Sequence, residues 1–109
     1  MNENINDWIS KKITSNDVVL FMKGTPETPQ CGFSSQVVQI LNYLGIEFSS
    51  VNVLEDESIR NGIKEYTNWP TIPQLYVKNE FIGGADIVRE MFEENELKEF
   101  LEDKGIATN

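Results

Sequence analysis

The 109-residue sequence contains no histidine and one cysteine. Without histidine, Cys–His and Ser–His catalysis are excluded, as is any zinc site built from both residues. One thiol can neither close an intramolecular disulfide nor hold a metal alone. Positive charge is also scarce: 9 Lys and Arg stand against 18 Asp and Glu, a net charge of −9. That balance opposes broad nucleic-acid binding, which needs a basic face. Long apolar runs are missing too. The longest is Val18–Met22, whereas a membrane helix needs ~20 apolar residues, so no membrane contact is expected. The first residues, Met-Asn-Glu-Asn, carry neither a signal-peptide nor a transit pattern, and a lone thiol suits a reducing compartment. The expected location is therefore cytoplasmic.

What is present is an ordinary globular composition, 39% hydrophobic and 25% charged, long enough for one domain. A single domain over residues 1–109 is expected, with its core between about residues 4 and 101. Ile5, Trp8, Ile9 and Ile13 recur at helical spacing and predict a helix over 4–14. Val18–Lys23 reads as a buried strand. The Gly- and Pro-containing segment 24–30 reads as a loop. Phe33, Val37, Ile40, Leu41 and Leu44 mark one face of a second helix, stopped by Gly45. Phe48–Val53 predicts a strand, and Ile59, Ile63 and Tyr66 a third helix. Gln74–Val77 and Glu80–Ile82 flank Lys78-Asn79 as a hairpin. Ile87–Phe92 and Leu97–Leu101 complete two further helices. The order αβαβαββαα implies a parallel pair with a right-handed crossover, extended by an antiparallel hairpin. The expected fold class is α/β, a small mixed sheet with helices on both faces.

Cys31 lies at the start of the second helix, where free N–H groups and the helix dipole favour an anion. Thiols in such places can have pKa values of ~3.5–7.5. A free cysteine is more often a small core residue. Here it stands between a Thr-Pro-Gln loop and Gly32 rather than in an apolar run, which favours reactivity. Lys23, at the end of the preceding strand, offers a nearby cation. Trp69-Pro70-Thr71-Ile72-Pro73 reads either as a rigid turn or as an exposed backbone edge framed by a cis Ile72–Pro73 bond. Gly83-Gly84-Ala85-Asp86 reads equally as an anion-binding turn or as a tight turn with Asp86 as N-cap. Arg60 by default is a solvated charge.

Lys23-Gly24-Thr25-Pro26, Cys31-Gly32-Phe33-Ser34, Trp69–Pro73 and Gly83–Asp86 together resemble, in order and spacing, the monothiol glutaredoxins of the Cys-Gly-Phe-Ser class. The resemblance covers nearly the whole chain. It implies a thioredoxin-like fold with a four-stranded sheet, a cis Pro73, glutathione as ligand, and a [2Fe-2S] cluster bridged between two protomers. It also implies a division of labour. Lys23 and Arg60 would take the glycine carboxylate of glutathione. The backbone of Ile72, framed by Pro73, would pair with the peptide as an added strand. Gly84, Ala85 and Asp86 would take the γ-glutamyl end, with backbone N–H groups on its carboxylate and the Asp86 side chain on its ammonium. Two departures exclude a backup thiol: Ser34 stands where dithiol relatives have a second cysteine, and Ala85 where several relatives have one.

Three functions fit this resemblance. In an iron–sulfur carrier, a [2Fe-2S] cluster needs four ligands. Cys31 from each of two chains and two glutathione thiolates would supply them, making a labile cluster in a homodimer that serves recipient apoproteins. In a glutathione-dependent thiol–disulfide oxidoreductase, Cys31 would be the catalytic thiol. In an iron-sensing module, a BolA-type protein would replace one set of ligands.

Overall fold

The computed structural model describes residues 4–109; residues 1–3, part of the N-terminal segment read above, lie outside it. The described elements follow the expected order: α1 (Ile5–Ser15), β1 (Val18–Met22), α2 (Gly32–Tyr43), β2 (Ser49–Asn52), α3 (Glu57–Thr67), β3 (Gln74–Val77), β4 (Glu80–Gly83), α4 (Ala85–Glu93) and α5 (Glu96–Asp103). The sheet order is β2-β1-β3-β4. β1 and β2 are parallel; β1 and β3, and β3 and β4, are antiparallel. Lys78 and Asn79 both have positive φ, at 50° and 66°, the geometry that matches a two-residue turn to the twist of its strands.

β1 is central and buried throughout, so both its faces are covered. Val18, Leu20 and Met22 pack into a core with Val37, Leu41, Val88, Leu97 and Leu101 from α2, α4 and α5. Val19 and Phe21 face the other way, into a core with Ile9, Ile13 and Ile63 from α1 and α3. The period-2 alternation of one strand therefore divides the helices between two layers.

Three strands differ from the sequence expectation, β4 only by running one residue further, to Gly83. β1 ends at Met22 rather than Lys23, because Lys23 directs its N–H to Ser34 Oγ at 3.1 Å and its carbonyl to the N–H of Gln30 at 2.9 Å. β2 is shorter than Phe48–Val53: Phe48 packs beside the first core, while Val53 follows the strand and donates to Met22 O at 2.9 Å. Gly45, at φ 72°, takes the left-handed turn just beyond α2, as expected of a glycine stop.

Candidate functional site

The C-terminal end of β1, the starts of α2 and α4, and the loop before β3 surround a cleft of about 480 Å³. Lys23 and Cys31 stand in its wall, and so do Ile72, Pro73 and the Gly84–Asp86 turn. Segments far apart in sequence thus meet where the expectation put them. The Ile72–Pro73 bond is cis. Among the described residues, neither main-chain polar group of Ile72 has a hydrogen-bond partner, so its edge is open to an extended ligand.

The helix starts fall into two kinds. α1 and α3 are capped by Asn4 and Asp56, whose side chains accept from Asn6 and Ser58 N–H groups at 2.8 Å. α2 and α4 begin at the cleft, with Cys31 and Gly84 as N-caps, and neither has a side-chain cap. Their first-turn N–H groups are therefore left for a ligand or for the thiol. α5 also lacks a side-chain cap; it starts at Asn95 in the left-handed region.

Cys31 is the N-cap itself, one position before the first helical turn. Partial burial raises the thiol pKa. The N–H groups of Ser34 and Phe33, the Lys23 charge and the Ser34 hydroxyl outweigh it, so the net shift is below the ordinary thiol value. The thiolate is thus favoured by the helix start more than by the lysine.

The structure decides between the two readings of the α4 turn and places the basic residues of α3. Asp86 is not the N-cap of α4; it lies inside the first turn, exposed, with Arg89 at 3.3 Å. Gly84 takes the cap position, where a Cβ would stand 3.3 Å from both Pro73 O and Trp69 Nε1, so a larger residue would press α4 away from the loop by a few tenths of an ångström. Arg60 does not line the cleft. Lys64, one turn further along α3, does, because α3 reaches the cleft with its C-terminal half. Lys23 and Lys64 are in no ion pair among the described residues.

Other contributors are invisible in sequence order. Ser34 is fully buried, and its Oγ accepts from Lys23 N–H; it fastens β1 to α2 rather than merely replacing a thiol. Gln74, also fully buried, donates to Trp69 O and Thr71 O, both at 3.1 Å, and so holds the loop that carries Ile72. Trp69 packs against Phe81 with ring centroids 5.8 Å apart. The available signal was a Ser inside the Cys31–Ser34 motif and a Gln directly after Pro73, but their burial and partners cannot be assigned without the fold.

Fold, cis-proline and one thiol at an uncapped helix start define a thioredoxin-like protein with monothiol chemistry. The glutaredoxin family model matches residues 18–82. An uncharacterized, ycf64-like monothiol glutaredoxin of Synechocystis is 57% identical over 102 residues, covering 94% of this chain and 95% of that protein. The monomeric truncated mutant of Trypanosoma brucei 1-C-Grx1 superposes with a TM-score of 0.89 at 44% identity, covering 99% of this chain and 98% of that one. Reduced apo GrxS14 of poplar gives 0.80 at 54% identity, with 91% of each chain covered. The chain belongs to the glutaredoxin family, in its monothiol branch.

Proposed function

We propose that the protein binds glutathione in the cleft beside Cys31 and, as a homodimer, carries a labile [2Fe-2S] cluster for delivery to recipient apoproteins. The observation that carries this reading is the single thiol at an uncapped helix start, beside a cleft with an open backbone edge. Among the described residues no group of three or more His, Cys, Asp or Glu could hold a metal. A cluster with four ligands would therefore take Cys31 from each chain and the thiolates of two bound glutathiones.

The residues fit such a group. Cys31 is only partly buried. A Cβ on Gly32 would meet nothing within 4 Å, so a second chain has room to approach the sulfur. Within each cleft, Lys23 and Lys64 supply charge for the glycine carboxylate, Ile72 supplies a backbone pair, and the α4 start supplies N–H groups for the γ-glutamyl carboxylate. Asp86, exposed at that start and in contact with Arg89, would turn a carboxylate oxygen to the ammonium. The cluster itself is the cargo, and its exchangeable glutathione ligands make it easy to release.

Anaerobic reconstitution with iron, sulfide and glutathione tests the reading. The expected product has a [2Fe-2S] visible spectrum and the mass of a dimer, and forms only with glutathione. A stable cluster formed without glutathione, or none with it, would overturn the reading.

The lowered thiol pKa favours a second activity, deglutathionylation. The Cys31 thiolate attacks the glutathione sulfur of a mixed disulfide and the substrate thiolate leaves. A second glutathione thiolate then attacks the Cys31 adduct, giving glutathione disulfide and free Cys31. Turnover with a glutathionylated peptide and excess glutathione measures it; no turnover removes this second activity.

A further inference from the structure

We propose that Asn52 is a positioning residue for Lys23 and so a determinant of recognition of the glycine carboxylate of glutathione; this rests on the glutathione reading above. Lys23 lies just beyond the β1 ladder, so sheet pairing does not align it. Its N–H donates to Ser34 Oγ at 3.1 Å and its carbonyl accepts from Gln30 at 2.9 Å. Both partners belong to the same segment, 23–34, that carries the thiol. The next N–H, that of Gly24, donates at 2.9 Å to Oδ1 of Asn52. Asn52 comes from outside that segment: it is the last residue of β2, in register with Met22. The same Oδ1 accepts from Leu54 N–H at 3.0 Å.

One amide oxygen thereby uses both lone pairs to tie the start of the 23–30 loop to the end of the neighbouring strand. The tie acts at a point with little slack. Gly24 is at φ 90°, and a Cβ there would lie 2.6 Å from Thr28 O and Gln30 N. The loop is further closed by a bridge between Gly24 and Pro29. The backbone on both sides of the Lys23 Cα is therefore held, and its side chain leaves from a fixed point into the cleft. Asn52 does not line the cleft, so its effect on a ligand passes through Lys23.

This placement predicts an effect confined to one end of the ligand. The experiment is a titration, followed by NMR, of glutathione and of glutathione amide, whose glycine carboxylate is neutralised. The proteins are the wild type, Asn52→Ala, Lys23→Met and the double variant, each checked by thermal unfolding. The wild type prefers glutathione to the amide. A charge-assisted contact on a carboxylate makes that preference about fivefold or more. Asn52→Ala lowers the preference and leaves affinity for the amide unchanged. Lys23→Met lowers it to the part that Lys64 supplies, and adding Asn52→Ala to Lys23→Met changes nothing more. If Asn52→Ala does not fold, Asn52→Ser, with a shorter acceptor, takes its place in the same cycle and lowers the preference less. An Asn52 variant that weakens both ligands alike, or neither, overturns the inference. So does a double variant that loses further preference beyond Lys23→Met. Wild-type protein that binds neither ligand instead overturns the glutathione reading, and this inference with it.

Discussion

At its C-terminal end α2 is closed by the chain itself. Leu44, Gly45 and Ile46 N–H groups return to Ile40, Asn42 and Leu41 carbonyls at 3.0–3.1 Å. Asn109 then donates its main-chain N–H to Leu44 O at 2.7 Å and its side-chain amide to Tyr43 O at 3.2 Å. At its N-terminal end the same helix starts on Cys31 with no side-chain cap. A Ser, Thr, Asn or Asp cap contributes ~1 kcal/mol, so stabilisation is forgone at the end that faces the cleft. α4 repeats the pattern with Gly84, whereas the starts of α1 and α3, which do not line the cleft, carry Asn4 and Asp56 as caps. The two uncapped starts at the cleft, unlike that of α5, leave N–H groups facing an anion such as the Cys31 thiolate.

The sharpest way to break this contrast is Cys31→Ser. A hydroxyl is a poor iron ligand, so cluster assembly is lost completely in the reconstitution assay. Yet Cys31 has φ −152° and ψ 134°, the extended backbone an N-cap needs, and serine would accept from the Phe33 or Ser34 N–H. The variant should therefore gain ~0.5–1 kcal/mol in urea unfolding. A stability loss would show that this end was not open.

Alkaline titration provides a measure of stability that leaves both ends of α2 intact. Burial, with the neighbouring Tyr66 second, raises the Tyr76 pKa to about 12. The unfolded chain releases this proton near pH ~10, so the folded state binds more protons in between. Stability is then full below pH ~10 and falls as pH rises toward the folded pKa, by about 2–3 kcal/mol in all. Tyr76→Phe should flatten that slope in unfolding measured across the window.

Asn109→Ala probes the closed end. It removes the bond to Tyr43 O and should cost ~0.5–1.5 kcal/mol in unfolding, with no change in the alkylation rate of Cys31. A changed alkylation rate would mean that the two ends are coupled through the helix. The smallest effect is expected from Lys23→Glu. Lys23 ranks behind the Ser34 and Phe33 N–H groups among the influences that lower the Cys31 pKa. Reversing its charge should raise the thiol pKa modestly, read from alkylation rate against pH. A large rise would transfer the main role from the helix start to the lysine.

The sequence already carried the element order, because Val18–Met22 is apolar at every position and the helices repeat at i, i+3 and i+4. It also brought Cys31, Ile72, Pro73 and Gly84 to notice, since lone thiols, paired prolines and paired glycines are locally unusual. It left open whether Asp86 caps α4; the cap is Gly84, and Asp86 falls inside the first turn. It named Arg60 and did not weigh Lys64, which lines the cleft, because helical phase relative to a cleft cannot be read before α3 is docked.

Local chemistry thus determined what kind of protein this is: backbone propensity and period act over a few residues, and a chain with one thiol and no histidine has few reactions open to it. Which groups meet was decided only by the tertiary structure. Ser34 and Lys23 are joined across 11 residues and Asn52 and Gly24 across 28, and hydrogen bonds of that span exist only once two cores have packed against opposite faces of β1. Directional contacts depend on ångström-scale placement, and burial rather than sequence pattern supplies it.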